Sequence, residues 1–380
     1  VGLVGQSYGA GQAFQALADN PRITTALPMY GWVDLYQGLL PGNVPKAQWA
    51  AELVGVGTAG TKAQISPMIA EWLQKAVTRT DLETVQAQMD ARSVLARLST
   101  VEKPLLICQG LQETLFPQAD LAWGSSAGFT RALIYTGGHG EDPEECWSSS
   151  IDWFLYFLAG KDTGVHAWPA LRSVDASNQG GALAYDQFPQ AAWETRYLRA
   201  IDSTLSANSS DVTFTISQRL VGNPFNEPSA IWDQTGQPNN AAPGNFRQDP
   251  SAVFFDSAKF TGSEVLLGAP VARLRLADNA TETPFQVVGT LYHVIAGEGD
   301  CEGGKSTLLT RAAHAALSGA DLDGGVLDLR FHWIKADFAP GDCIVLKLAG
   351  NDPSMFLPLP SNYDVEFTGG STLELPYFQG

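Results

Sequence analysis

The chain is short of basic residues, of cysteine and of long apolar runs. Lys and Arg number 23 against 40 Asp and Glu, a formal charge of −17 over 380 residues. A nucleic-acid partner demands a basic face opposite its phosphates, so that function class is excluded. An acidic membrane surface is disfavoured on the same ground, and the negative surplus reads as a solubilising surface. No apolar run approaches the ~20 residues that cross a bilayer as a helix. The four cysteines, Cys108, Cys146, Cys301 and Cys343, are too few and too scattered for a disulfide scaffold or a zinc site with paired ligands. Cys301 and Cys343 can pair if the protein is secreted. The residues open directly on the apolar run Val1-Gly2-Leu3-Val4, without a starting Met; the expectation is a chain cut at the start of a buried strand, any targeting segment then lying upstream. Internal repeats and low-complexity tracts are also missing.

What is present describes a globular chain, with 44% apolar and 17% charged residues, long enough for two domains with separate cores. Residues 1–160 alternate short apolar strands with helical patterns, the signature of a parallel α/β sheet. The patterning predicts strands at Val1–Val4, Ile23–Met29, Leu105–Cys108 and Ala132–Tyr135, and helices at Ala10–Ala18, Gln118–Gly128 and Glu144–Leu158. A helix-rich insertion, about 38–99, carries Trp72, Leu73, Val77, Leu82 and Val85 near helical spacing and is expected to act as a cap. Residues 161–250, rich in Pro, Asn, Gly and Gln, read as a connecting segment with some β-structure, including Val212–Ile216. Residues 251–380 run through short strands punctuated by turn clusters such as Ala339-Pro340-Gly341-Asp342, which predicts an all-β jelly-roll sandwich.

Gly5-Gln6-Ser7-Tyr8-Gly9 is a G-x-S-x-G motif set between an apolar strand and an Ala-rich helix. A strand-to-helix turn this tight lifts the Ser hydroxyl out of the sheet, with both glycines expected to allow close backbone approach. It also places Ser7 at a helix N-terminus, where the backbone N–H of Tyr8 can face a developing oxyanion. A serine needs a base, and the base needs an orienting carboxylate. On a sheet of this kind the chain order is Ser, then Asp or Glu, then His. Glu113 lies in the loop directly after the strand Leu105–Cys108, and His139, flanked by glycines, lies in the loop after Ala132–Tyr135. One helix separates these loops, which makes them spatial neighbours. Asp120, near the start of that helix, is the alternative acid. Trp32, Tyr30 and Phe116 are candidates to line an apolar substrate pocket.

A second motif, Gly299-Asp300-Cys301-Glu302-Gly303-Gly304-Lys305-Ser306, matches the phosphate-binding pattern G-x-x-x-x-G-K-[ST] and would centre nucleotide hydrolysis on Lys305. Asp300 and Glu302 would repel phosphates, and the surroundings read as antiparallel β-structure, so it is taken as a Gly-rich hairpin connection.

These residues resemble the α/β-hydrolases of the X-Pro dipeptidyl-peptidase and bacterial cocaine-esterase (CocE/NonD) type. The elbow Gly5–Gly9 is similar to theirs. So are Asp90-Ala91-Arg92-Ser93, Lys103-Pro104-Leu105-Leu106-Ile107 with the loop Gly110–Phe116, and Trp153-Phe154 with Leu158-Ala159-Gly160. The later half resembles their C-terminal jelly roll, with Gly268-Ala269-Pro270, Ala339-Pro340-Gly341-Asp342 and Leu373-Glu374-Leu375-Pro376 in order. The resemblance implies a serine hydrolase that cleaves an ester or amide of a small-molecule or peptide substrate through an acyl-enzyme on Ser7, without a cofactor or metal. That family usually carries Asp where this chain has Glu113. Its early strands and second oxyanion donor would precede Ser7, so the expectation is that residues 1–380 are a fragment or one piece of a cleaved protein, for which a partner segment could supply those strands, and are inactive or weak alone. The alternative is an inactive hydrolase-fold protein whose sandwich binds carbohydrate or protein.

Overall fold

Apolar stretches without polar interruption, such as Leu105-Leu106-Ile107-Cys108, form strands covered on both faces, as a parallel sheet requires. The structure, a computed structural model, describes residues 1–59, 64–174, 183–186, 191–200, 202–218, 240–241, 247, 249, 251–277, 284–295, 301, 305–318, 321–322, 324–352 and 354–378. They divide into two units: one drawn from Val1–Leu39 and Glu83–Gln190, the other from Leu40–Leu82, Ala191–Ala230 and Pro238–Gly380. The eight helices among the described residues are α1 (Tyr8–Asp19), α2 (Leu35–Leu39), α3 (Ala47–Thr58), α4 (Pro67–Thr78), α5 (Leu82–Asp90), α6 (Leu95–Leu98), α7 (Ala119–Ser125) and α8 (Glu144–Ala159).

The first unit is built on a sheet in the order β1 (Gly2–Gln6), β2 (Thr25–Met29), β3 (Leu105–Gly110), β4 (Thr130–Tyr135), β5 (Leu171–Val174) and β6 (Leu183–Tyr185). The first five strands run parallel and β6 is antiparallel to β5. The α8 helix buries Cys146, Ser149, Ser150 and Trp153, a one-sided 3–4–7 spacing. Trp153 packs with Leu27, Met29, Leu106, Cys108, Leu133 and Tyr135, and its indole N–H donates to Thr25 Oγ1 at 2.6 Å. A disulfide joins Cys108 on β3 to Cys146 on α8. The spacing of the cysteines along the chain gave no sign of this pair; it forms because α8, which follows β4, packs back against the face of β3.

Register decides where the site lies. Gln6 is opposite Met29, Met29 opposite Cys108, and Gly110 opposite Tyr135. The strands therefore end together, and Ser7, Tyr30, Leu111 and Thr136 all leave the sheet at its C-terminal edge, where ligands bind in parallel α/β sheets.

The second unit is a β-sandwich. Its core holds Leu198, Phe255, Leu266, Leu274, Val287, Leu291, Leu327, Leu346, Val365 and Leu373, among others. The long hairpin Phe285–Ile295 with Lys305–Ala316 is antiparallel, and Cys343–Ala349 pairs on its other side. Ala191–Arg199 pairs with Thr372–Phe378, closing the beginning of the unit onto its end. The composition of 161–250 suggested mainly long connections with a strand at Val212–Ile216; that strand is present at Phe214–Gln218, and Leu171–Val174, Leu183–Tyr185, Ala191–Arg199 and Thr204–Ser206 are strands as well. Pairing with strands far along the chain, invisible to composition, recruits Ala191–Arg199 onto Thr372–Phe378 and Phe214–Gln218 onto Tyr363–Phe367. Leu40–Leu82, with α3 and α4, groups with this unit. Arg79, in the left-handed conformation that ends α4, donates to Asn43 O (2.5 Å), Leu357 O (2.6 Å) and Gln286 Oε1 (3.1 Å).

Most of the Gly299–Ser306 motif lies outside the described residues. Its end, Lys305–Ser306, opens a strand paired with Val294 and Ile295, where a phosphate loop requires a helix, and its Cys301 is disulfide-bonded to Cys343.

Candidate active site

Ser7 sits between β1 and α1 with φ 51° and ψ −117°, a strained conformation for any residue but glycine. The strain is held by hydrogen bonds on both sides. Ser7 N–H donates to Met29 O at 3.1 Å, and Ser7 O accepts from Ala10 N–H at 3.0 Å. Gly5 is required, because a Cβ there would lie 2.1 Å from Gly9 O. The expectation for Gly9 is corrected: a Cβ there meets nothing within 4 Å, since its face of the first turn of α1 is open. The N–H of Tyr8 begins α1 and has no carbonyl one turn back to receive it, so it is available at the side of Ser7.

The loops after β3 and β4 are stitched backbone to backbone. Leu111 N–H donates to Tyr135 O and Gln112 N–H to Gly137 O. Gly110 permits this approach, for a Cβ there would come within 2.2 Å of Gly137 O. The consequence is that Glu113 and His139 meet. Glu113 Oε2 lies 2.7 Å from His139 Nδ1, and His139 Nε2 lies 2.7 Å from Ser7 Oγ. The second oxygen, Glu113 Oε1, accepts the N–H groups of Leu115 (2.6 Å) and Phe116 (3.0 Å). Glu113 is only 2% exposed, so both oxygens are committed and the carboxylate cannot swing away. Asp120, on α7, makes no contact with His139 among these bonds, and burial pushes its carboxyl up to about 6. The structure therefore brings Ser7, His139 and Glu113 together and leaves Asp120 apart.

Aromatic rings surround the three. Tyr30 meets the His139 ring edge-on at 4.9 Å, and Phe116 approaches it at 6.4 Å. Trp32 lies 5.2 Å from Phe116 and 5.3 Å from Tyr8, whose side chain is 68% exposed. Gly11 makes room for Trp32, whose indole would be 2.3 Å from a Cβ at that position. Tyr30, Trp32 and Phe116 are themselves buried, whereas the Tyr8 ring stands exposed beside them. Several residues of the surroundings carried no signal in the sequence. Gln118 holds the loop after β2, accepting from Val33 and Asp34 N–H and donating to Asp34 O. Asp142, three residues past His139, accepts from Gln6, Tyr30 and Trp147. Each depends on partners distant in sequence. Among the described residues no group of His, Cys, Asp and Glu is arranged to hold a metal ion, and no helix is long and apolar enough to cross a membrane.

Hydrogen-bonded Ser, His and carboxylate at the C-terminal edge of a parallel sheet can deliver a serine alkoxide to an electrophilic carbon and return its proton to a leaving group. No curated protein matches the chain. Among solved structures, the chain is similar to an α-amino acid ester hydrolase (TM-score 0.74, 13% identity, 99% of this chain and 76% of that one). It is similar also to an aminopeptidase from a marine sediment Thaumarchaeota archaeon (TM-score 0.70, 13% identity, 100% and 76%). A CocE/NonD family hydrolase from Staphylococcus aureus aligns with a TM-score of 0.69 at 13% identity, over 98% of this chain and 71% of that one. Residues 163–374 match the family described as the X-Pro dipeptidyl-peptidase C-terminal non-catalytic domain. With that match spanning more than half its length, the chain belongs to the X-Pro dipeptidyl-peptidase C-terminal domain family, joined to the α/β-hydrolase fold of the CocE/NonD type.

Proposed function

We propose that this chain is a serine hydrolase that opens an ester or amide through an acyl-enzyme on Ser7. The observation that carries the proposal is the continuous line Glu113 Oε2–His139 Nδ1 and His139 Nε2–Ser7 Oγ, 2.7 Å at each junction. Ser7 Oγ attacks the carbonyl carbon while its proton passes to His139 Nε2. Glu113 holds Nδ1–H and stabilises the imidazolium. The oxyanion of the tetrahedral intermediate faces the Tyr8 N–H. Collapse breaks the bond to the leaving alcohol or amine, which takes the proton from His139. Water then repeats the sequence on the acyl-enzyme, releasing the acid and restoring Ser7. The chemistry needs no cofactor.

The substrate proposed is a small molecule or short peptide whose acyl group rests against Trp32, Phe116 and the exposed Tyr8 ring. α-Amino acyl esters and N-terminal peptide amides are the first to test, given the names of two of the structures sharing this fold. The decisive experiment is labelling of the full-length protein with a fluorophosphonate, followed by peptide mapping. Adduct on Ser7, lost in Ser7→Ala and strongly slowed in His139→Ala, is the expected result. A folded protein that takes no label at Ser7 would overturn the proposal and favour a binding module on a hydrolase fold.

A further inference from the structure

The loop that carries His139 is anchored on two sides. Upstream, Gln112 N–H holds Gly137 O, and Gly138 N–H donates to Glu141 Oε2 at 2.9 Å. These bonds tie the loop to itself and to the acid-bearing loop. Downstream, the anchor is a single carboxylate. Asp142 Oδ1 accepts from Gln6 Nε2 at 3.0 Å and from the Tyr30 hydroxyl at 2.9 Å, while Oδ2 accepts from the Trp147 indole N–H. Gln6 is the last residue of β1, immediately before Ser7. Tyr30 is the first residue after β2, and Trp147 lies in the first turn of α8.

An aspartate that merely shapes a turn binds the amides of its own loop, as Glu141 does. Asp142 instead collects side-chain donors from three different elements, and one of those elements presents the nucleophile. Tyr30 makes the connection rigid. Its backbone is at φ +40°, its N–H is bonded to Cys108 O at 3.0 Å, and its ring lies edge-on against His139. Burial and the Asp142 carboxylate push its hydroxyl above the ordinary value for tyrosine, so it remains a donor at all working pH. A strained tyrosine that touches the base with its ring and a carboxylate with its hydroxyl is a brace between them.

We infer that Asp142, acting through Tyr30 and Gln6, is a positioning residue that sets the separation of His139 from Ser7. The inference rests on the serine-hydrolase reading. Without the brace, the loop keeps its upstream bonds but its C-terminal stem is free to move away from β1. Displacement of a base by about 1 Å costs on the order of 10²-fold in rate, while ground-state binding at the aromatic wall is untouched.

The test uses the full-length protein, the rate of fluorophosphonate labelling at Ser7, and kcat and KM for a p-nitrophenyl ester. Asp142→Ala is expected to lose about 10- to 100-fold in kcat and in labelling rate with KM within about twofold. Asp142→Asn keeps an Oδ1 acceptor for Gln6 and Tyr30; its NH2 displaces only the bond from the exposed Trp147 indole, whose N–H can donate to water instead, so the variant recovers most of that loss. Tyr30→Phe, which retains the ring but removes the donor, falls in the same range, and the double variant Asp142→Ala/Tyr30→Phe is no slower than Asp142→Ala alone, as expected when both act through one contact. Circular dichroism and urea unfolding establish that each variant is folded. A folded Asp142→Ala with parental kcat and labelling, or strictly multiplicative losses in the double variant, overturns the inference while leaving the hydrolase reading intact. Absence of labelling in the parent protein removes the hydrolase reading, and this inference with it.

Discussion

Replacing Glu113 by Gln is the sharpest perturbation of the proposed relay, because the structure dictates which way the new amide must face. Glu113 Oε1 accepts two backbone N–H groups, Leu115 at 2.6 Å and Phe116 at 3.0 Å, in a site closed to water. In Glu113→Gln, an NH2 group at that position would confront both donors and leave two buried amides unsatisfied, at about 1–3 kcal/mol each. The amide therefore turns its oxygen to Leu115 and Phe116 and its NH2 to His139 Nδ1. Nδ1 must then accept, which moves the ring proton to Nε2, and Nε2 faces Ser7 Oγ as a donor instead of an acceptor. The productive tautomer lies about 2–6 kcal/mol higher, a loss of roughly 30-fold to 10⁴-fold. The assay is the second-order rate of fluorophosphonate labelling at Ser7, with urea unfolding to establish that the variant is folded. Glu113→Ala, which imposes no tautomer, should be no slower than Glu113→Gln. A folded Glu113→Gln that labels at more than a third of the parental rate would refute the reasoning.

Three further outcomes follow from packing and linkage. Gly5→Ala drives a Cβ into Gly9 O and should destabilise by about 3 kcal/mol, whereas Gly9→Ala enters open space and should gain up to about 1 kcal/mol from the helix, both read as urea midpoints. Equal effects at the two positions would contradict the elbow geometry. In the second unit, burial, Lys46 and Arg311 hold the His332 imidazole well below its usual value of 6.5. The native state then binds no proton where the unfolded chain does. Stability should be intact above pH 6.5 and fall below it by up to about 1.4 kcal/mol per pH unit, a slope that His332→Gln removes. Unfolding midpoints at pH 7, 6 and 5 measure it. The disulfides Cys108–Cys146 and Cys301–Cys343 close loops of 38 and 42 residues, so each should restrict the unfolded chain by about 4 kcal/mol. Paired Cys→Ala variants that lose less than 1 kcal/mol would argue against the crosslinks.

Much of the site could be read from the order of residues. Parallel strands leave a sheet at one edge, so a Ser after one strand, a Glu after a later one and a His after the next had to emerge on the same side. Continuous apolar stretches at Leu105 and Ala132 marked buried strands, and Glu144–Leu158 marked the helix that covers them. Other features were not legible because they depend on which loops touch. Nothing in the neighbourhood of Cys108 or Cys146 announces their pairing. Asp142 looks like any loop aspartate until Gln6, Tyr30 and Trp147 are placed around it. The motif by itself gives Gly9 a close-approach role that the fold does not, since its Cβ direction is empty.

What the amino-acid order by itself determined is the succession of chemical types at strand ends, because hydrophobic period and turn residues act locally along the chain. What only the tertiary structure decided is distance: which carboxylate reaches His139, what braces its loop, and with which unit Leu40–Leu82 packs. Those outcomes depend on register between strands and on backbone approach at glycines such as Gly110, interactions between segments far apart in the chain that no local pattern encodes.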